Sequence, residues 1–255
     1  MSLLEKNERF LLEEIVKKNF AAKYKDSVLG IFWTILKPLL LMIILTVIFS
    51  TLFSKNIDNY PVYYLSGMSI LWFFTAAVNQ AMMSLKVNKN ILEKTATKKY
   101  LFVLGTIISE FLNYLITLII LIGVMIATNA PFHYTIIFSV IPIFSLILML
   151  TGLCLMTSIF CVYFSDIQHF WGIITTVLMF SSAIFFPMDI IPEPYRQYLM
   201  LNPLYWVIDQ FRKFFVYGTI PDLLNMVNLF LLSLIILVLG IIIFKKYEKT
   251  ITLKL

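Results

Sequence analysis

Three side chains with chemistry of their own interrupt stretches that are otherwise apolar: Lys37, Glu110 and Asn113. A charge inside such a stretch is costly to bury and marks either function or a buried polar contact. Lys37 and Glu110 sit about six to ten residues in from the ends of their segments, so at about 1.5 Å per residue their depths nearly match. They are therefore expected to pair, the alternative being that Lys37 snorkels to headgroups while Glu110 takes hydroxyls or the Asn113 amide. A single carboxylate makes no proton relay. His169 stands alone at a segment end, and Cys154 and Cys161 share one apolar segment without CxxC spacing, which reads as two small buried residues. The eight glycines never fall closer than eighteen residues apart, so no phosphate cradle can be assembled from them, and neither G-x-x-x-x-G-K-[ST] nor H-E-x-x-H occurs. No catalytic residue, bound cofactor or metal site is expected on this chain, and any energy-driven work needs ATP and Mg on another subunit.

The elements that position these groups follow from composition. The 255 residues are 60% hydrophobic and 13% charged, about half the charged share of a soluble domain, which places the chain among polytopic membrane proteins. Six apolar segments reach the roughly 20 residues needed to cross a bilayer as a helix: 31–54, 62–85, 100–128, 135–163, 169–188 and 222–244. Fifteen Lys and Arg fall in the two termini and the second and fourth connections, against four in the alternate loops, with Lys37 inside the first span. The positive-inside rule then puts both termini in the cytoplasm and the chain in the cytoplasmic membrane as one transmembrane unit over 1–255. The net charge of +6 is this topogenic excess facing membrane lipids, and no nucleic-acid partner is implied.

Between the spans lie three informative stretches. Residues 1–30 carry a two-sided helix with Leu11, Leu12, Ile15, Val16 and Phe20 on one half and Glu13, Glu14, Lys17 and Lys18 on the other, which suits a helix lying flat on the membrane. The 86–99 loop is basic and helix-compatible, with Ile91 and Leu92 placed to dock in a partner's groove. The stretch 189–221 is too charged to span and too apolar for a solvated loop, which predicts a re-entrant pair of short helices on the outer side. Pro38, Pro142 and Gly152 are expected bends, and the aromatic cluster Trp72, Phe73 and Phe74 is either packing or the lining of a path.

Several short motifs, in order, give the chain a family likeness. They are Lys23-Tyr24-Lys25, Ser27-Val28-Leu29-Gly30 with Trp33 and Pro38, Ile108-Ser109-Glu110 with Asn113-Tyr114, Phe164 with Asp166-Ile167, Ile184-Phe185, Ile191-Pro192, and Leu201-Asn202-Pro203-Leu204. On a six-span frame this resembles the permease subunits of type-2 ABC exporters, in the branch moving lipid-linked polysaccharides such as O-antigen, teichoic acid or capsule-like glycans. The resemblance implies an all-α fold and a second copy of the chain around a channel, with two ABC ATPase subunits beneath. It further implies ATPase contacts at Lys23, Tyr24, Lys25, Asn90, Ile91, Leu92, Glu93, Lys94 and Asp166. Channel or gate candidates are Trp33, Trp72, Phe73, Phe74, Phe185, Phe186, Pro187, Asp189 and Pro192. Two other readings share the sequence features: a type-2 exporter of a drug or lipid, and a stand-alone channel or structural membrane protein.

Overall fold

The computed structural model describes residues 6–24, 30–53, 57–94 and 97–254, and among them every regular element is helical. Helix α1 spans Lys6–Ala22, α2 Phe32–Phe49, α3 Tyr60–Val87, α4 Lys89–Lys94 and α5 Tyr100–Ala127. A 3₁₀ turn over Tyr134–Ser139 leads into α6, Val140–Tyr163. Then follow α7 Ile167–Ser181, α8 Glu193–Met200, α9 Pro203–Phe215 and α10 Leu223–Lys254.

Five of these elements, α2, α3, α5, α6 with its leading turn, and α10, are long and apolar enough to cross a membrane. The core is organised on α3, which packs against α5 and α6 and is buried for most of its length, whereas α2 and α10 expose most of theirs. Its start is fixed locally: Asn59 caps the helix through the Val62 amide (3.2 Å), and Pro61 occupies an early position where its missing N–H is not needed. Buried hydroxyls on α3 are answered within the helix, Ser66 donating to the Tyr63 carbonyl, Ser69 to Ser66 and Ser84 to Ala81. Such back-bonding lets a polar residue sit in an apolar segment without a partner helix.

The two residues of α6 read as bends have specific settings. Pro142 falls in the first turn of α6, where its missing N–H costs nothing. Gly152 is the point where α6 meets α10 backbone to backbone: a Cβ there would lie 2.3 Å from the Ile236 carbonyl oxygen, and one on Gly240 would lie 2.3 Å from that of Gly152.

The expected fifth span is shorter than 169–188. α7 is a regular helix only over its 15 residues, about 22 Å and less than the roughly 30 Å hydrocarbon thickness. The apolar sequence continues, but side chains of other helices take its carbonyls. Tyr63 Oη donates to Ala183 (2.7 Å) and Phe186 (2.8 Å), and Tyr60 Oη to Phe185 (3.1 Å). Arg212 donates to Ala183 (2.9 Å) and Ile184 (3.4 Å). With those acceptors satisfied, residues 183–186 need no helical turn, and Ala183 takes a φ of 50°.

The apolar half of the two-sided helix α1 packs against α5. Glu8 meets Lys98 (2.5 Å), Ile15 fills the space beside Gly105, and Lys23 meets Glu110 (2.9 Å). The matching register shows α1 running alongside the first third of α5. A Cβ on Gly105 would come within 2.4 Å of the Ile15 side chain, so the glycine is what lets the helices touch.

Candidate functional site

A cleft of about 460 Å³ opens between α2, α3 and α5, closed on one side by the end of α1. Its back wall is a polar knot. The Glu110 carboxylate, almost fully buried, accepts from Lys23 Nζ on both oxygens (3.1 and 2.9 Å), from Gln80 Nε2, and from Asn113 Nδ2 (3.2 Å). Tyr24 Oη donates to Asn113 Oδ1 (2.6 Å) and lies 2.7 Å from Thr34 Oγ1. One network therefore joins the segment after α1 to α2, α3 and α5.

The knot corrects the pairing expected from depth: Glu110 is neutralised by Lys23, not by Lys37. Lys23 reaches Glu110 because α1 runs beside α5, an arrangement that helix depth alone could not reveal. Lys37 is exposed and lines the mouth of the same cleft. Of the alternative partners, the Asn113 amide is present as a secondary contact, whereas the place expected for a hydroxyl is taken by the Gln80 amide.

Facing the knot, α3 presents Trp72, Thr75, Ala76 and Asn79 at helical spacing, and α2 presents Trp33, Thr34 and Lys37. Together these side chains offer two indoles, two hydroxyls, an amide and a cation. The Tyr114 hydroxyl is buried at its wall with no hydrogen-bond partner among the described residues. Of the aromatic cluster, Trp72 reaches the cleft. Phe73 stacks on Tyr114 (5.2 Å between centroids) and reaches the cleft only in part, and Phe74 packs on Trp171 (6.0 Å), in the core.

At the end of the molecule beyond the knot, three connections are gathered. Lys18 bonds Asn88 (3.0 Å), and Lys86 bonds Ser165 (3.0 Å), so α1, α4 and the 164–166 turn lie together. Asn90, Ile91, Glu93, Lys94 and Asp166 are exposed there. Leu92 is the exception to the expected docking pair: it is buried in this chain's own core and anchors α4 rather than offering itself to a partner. Lys25 lies outside the described residues.

At the opposite end the key residue is one that the sequence did not single out. Arg212 of α9 is 5% exposed and makes no carboxylate pair among the described residues. Its guanidinium donates to the carbonyls of Tyr63 (2.9 Å), Ala183 (2.9 Å) and Ile184 (3.4 Å) and to Ser66 Oγ (3.3 Å), and it stacks 3.5 Å over the Tyr63 ring. A planar, five-donor cation is suited to this spread of acceptors. Gly67 leaves the room, since a Cβ there would lie 2.6 Å from Nη2. The preceding turn is fixed by Asn202, which caps α9 through the Leu204 amide and donates to Ser181 and Ser182 Oγ (2.9 and 2.8 Å) at the end of α7. Among the gate candidates, Phe185 and Phe186 are half-buried with their carbonyls engaged, and Pro187 is buried. Asp189 and Pro192 are exposed, and the Asp189 carbonyl accepts from Arg196 (2.7 Å). The period of α9 would have shown Arg212 on the face of Leu204, Ile208 and Phe215, the one signal available beforehand.

Comparison with known proteins adds what geometry cannot. Residues 11–216 match the ABC-2 type transporter family. The chain is 25% identical over 241 residues to the O-antigen export system permease protein RfbA of Klebsiella pneumoniae, covering 93% of this chain and 92% of that protein. It is 23% identical over 232 residues to RfbA of Myxococcus xanthus, covering 90% and 89%. It is also 23% identical over 245 residues to the polysialic acid transport protein KpsM of Escherichia coli, covering 95% of each.

Proposed function

The chain belongs to the ABC-2 type transporter family, and from that premise we propose that it is the membrane-spanning subunit of an ATP-driven exporter carrying a lipid-linked polysaccharide across the cytoplasmic membrane. The similarity to O-antigen and polysialic acid transport proteins supports the cargo class. Two copies of the chain enclose the path, and two ATPase subunits bind and hydrolyse ATP with Mg. Both termini are cytoplasmic. α7 with residues 182–187 completes a sixth crossing, and α8 with α9 forms the re-entrant outer hairpin. The ATPase seats against the end that carries Asn90, Ile91, Glu93, Lys94 and Asp166.

The observation that carries the reading is the lining of the cleft. Indoles offer flat apolar faces for sugar rings, while Thr34, Thr75 and Asn79 offer hydrogen bonds to hydroxyls and Lys37 a charge for a phosphate linkage. α2 is little buried, so the cleft is open toward a neighbouring copy.

Deleting the gene is expected to leave undecorated cells with lipid-linked glycan accumulated inside. Complementation with Trp33→Ala/Trp72→Ala is expected to restore membrane insertion but not export. Normal surface glycan in the deletion strain would overturn the reading.

A further inference from the structure

A second cavity, of about 550 Å³, lies between α5, α6 and α10 and shares no residue with the cleft described above. Its floor is apolar, formed by Leu104 of α5, Leu155 of α6 and Ile241 and Phe244 of α10. Its rim carries Lys98 and Lys99 just before α5 and Lys245 and Lys249 near the end of α10. Glu248 is the one acidic residue of the lining among the described residues, and its backbone carbonyl accepts from Lys99 Nζ. Four lysines thus gather at one rim, one of them, Lys98, also meeting Glu8.

This division of chemistry follows the membrane. Lys245 and Ile241 are one turn apart on α10, so charge gives way to apolar wall over about 6 Å. Basic pockets between membrane helices at the cytoplasmic boundary suit anionic lipid headgroups. A soluble anion would use the rim and leave the floor without purpose. Ile241 and Lys245 are exposed, so the cavity is open on the side where lipid lies.

We propose that this cavity is a binding site for an anionic phospholipid, the phosphate held among Lys98, Lys99, Lys245 and Lys249 and an acyl chain laid over Ile241, Phe244 and Leu104. The site does not depend on the cargo assigned above and would exist in a transporter of any substrate.

The test uses the purified full chain, stripped of lipid and offered equal phosphatidylglycerol and phosphatidylcholine, with retained lipid read by native mass spectrometry. Retention of phosphatidylglycerol at a stoichiometry of one per chain is expected. One lysine near a charged surface changes affinity by roughly fivefold, so Lys245→Gln/Lys249→Gln is expected to weaken retention more than tenfold. Lys17→Gln/Lys94→Gln, which alters exposed lysines elsewhere, is expected to leave it unchanged. Ile241→Asn is expected to weaken it with the rim intact. Thermal unfolding of each variant, unchanged, confirms that the fold survives. Equal retention of both lipids overturns the proposal, as does equal loss in both lysine pairs, which would signify diffuse surface charge. Displacement by millimolar glycerol phosphate would also overturn it, because the site would then be one for a free anion.

Discussion

Two charges are buried among the described residues, at opposite ends of α3, and they are satisfied in different ways. Glu110 is met by an opposite charge, Lys23, with Gln80 and Asn113 filling the remaining positions. Arg212 is met by neutral oxygens, three of them backbone carbonyls. The carboxylate's principal partner comes from the segment after α1, is 37% exposed and can turn to water. The guanidinium's partners are main-chain groups that cannot swing away. The first is a detachable clasp at the end where the ATPase is proposed to act, and the second is a fixed lock at the opposite end.

The comparison breaks most visibly at Arg212. Arg212→Met leaves several buried carbonyls short of donors and should cost about 3 kcal/mol, read as a lowered thermal midpoint of the detergent-solubilised protein. Arg212→Lys should not recover it, because one ammonium cannot span acceptors on α3 and the 183–184 segment together. Full recovery by lysine would mean that charge alone matters there.

Gly67→Ala tests the same lock without removing a donor. The added methyl displaces Nη2, and a loss of about 2 kcal/mol is expected. If stability is unchanged, the guanidinium is mobile and the contrast with the clasp disappears.

At the clasp, removing either member has unequal consequences. Lys23→Met strands a buried carboxylate and should cost about 2 kcal/mol, whereas Glu110→Gln leaves a lysine able to reach solvent and should cost about 1 kcal/mol. The double variant should cost less than the two single losses together, which a double-mutant cycle measures. Strict additivity would show that the pair does not act as a unit. The smallest effect belongs to Lys37→Gln, expected within about 0.5 kcal/mol of the parent because that side chain is exposed. Its export rate should nonetheless fall.

What could be read beforehand was what hydropathy controls: the long apolar helices, the polar groups within them, and the short helices between them. Glu110 was identifiable as a group in need of a partner, but the partner was not. Depth along a helix is legible in a sequence, while the lateral placement of α1 depends on the small residue Gly105, which reads as an unremarkable span glycine. The end of α7 was hidden for a related reason. Residues 182–187 are as apolar as a helix, and only donors from Tyr60, Tyr63 and Arg212, distant in sequence, release them from helical pairing. Leu92 was misjudged because a short helix between charged residues looks solvated on all sides, when one side rests on the core.

The Arg212 lock also has a consequence for how the protein is made. Every group that satisfies the guanidinium, at Tyr63, Ser66, Ala183 and Ile184, precedes it in the chain. A polypeptide emerging from its amino end has thus presented all the acceptors before the arginine is synthesised. α9 can settle only after α3 and the end of α7 have met, and α10 follows it. A chain in which those helices are misplaced is left with a cation lacking its acceptors, which is costly to bury.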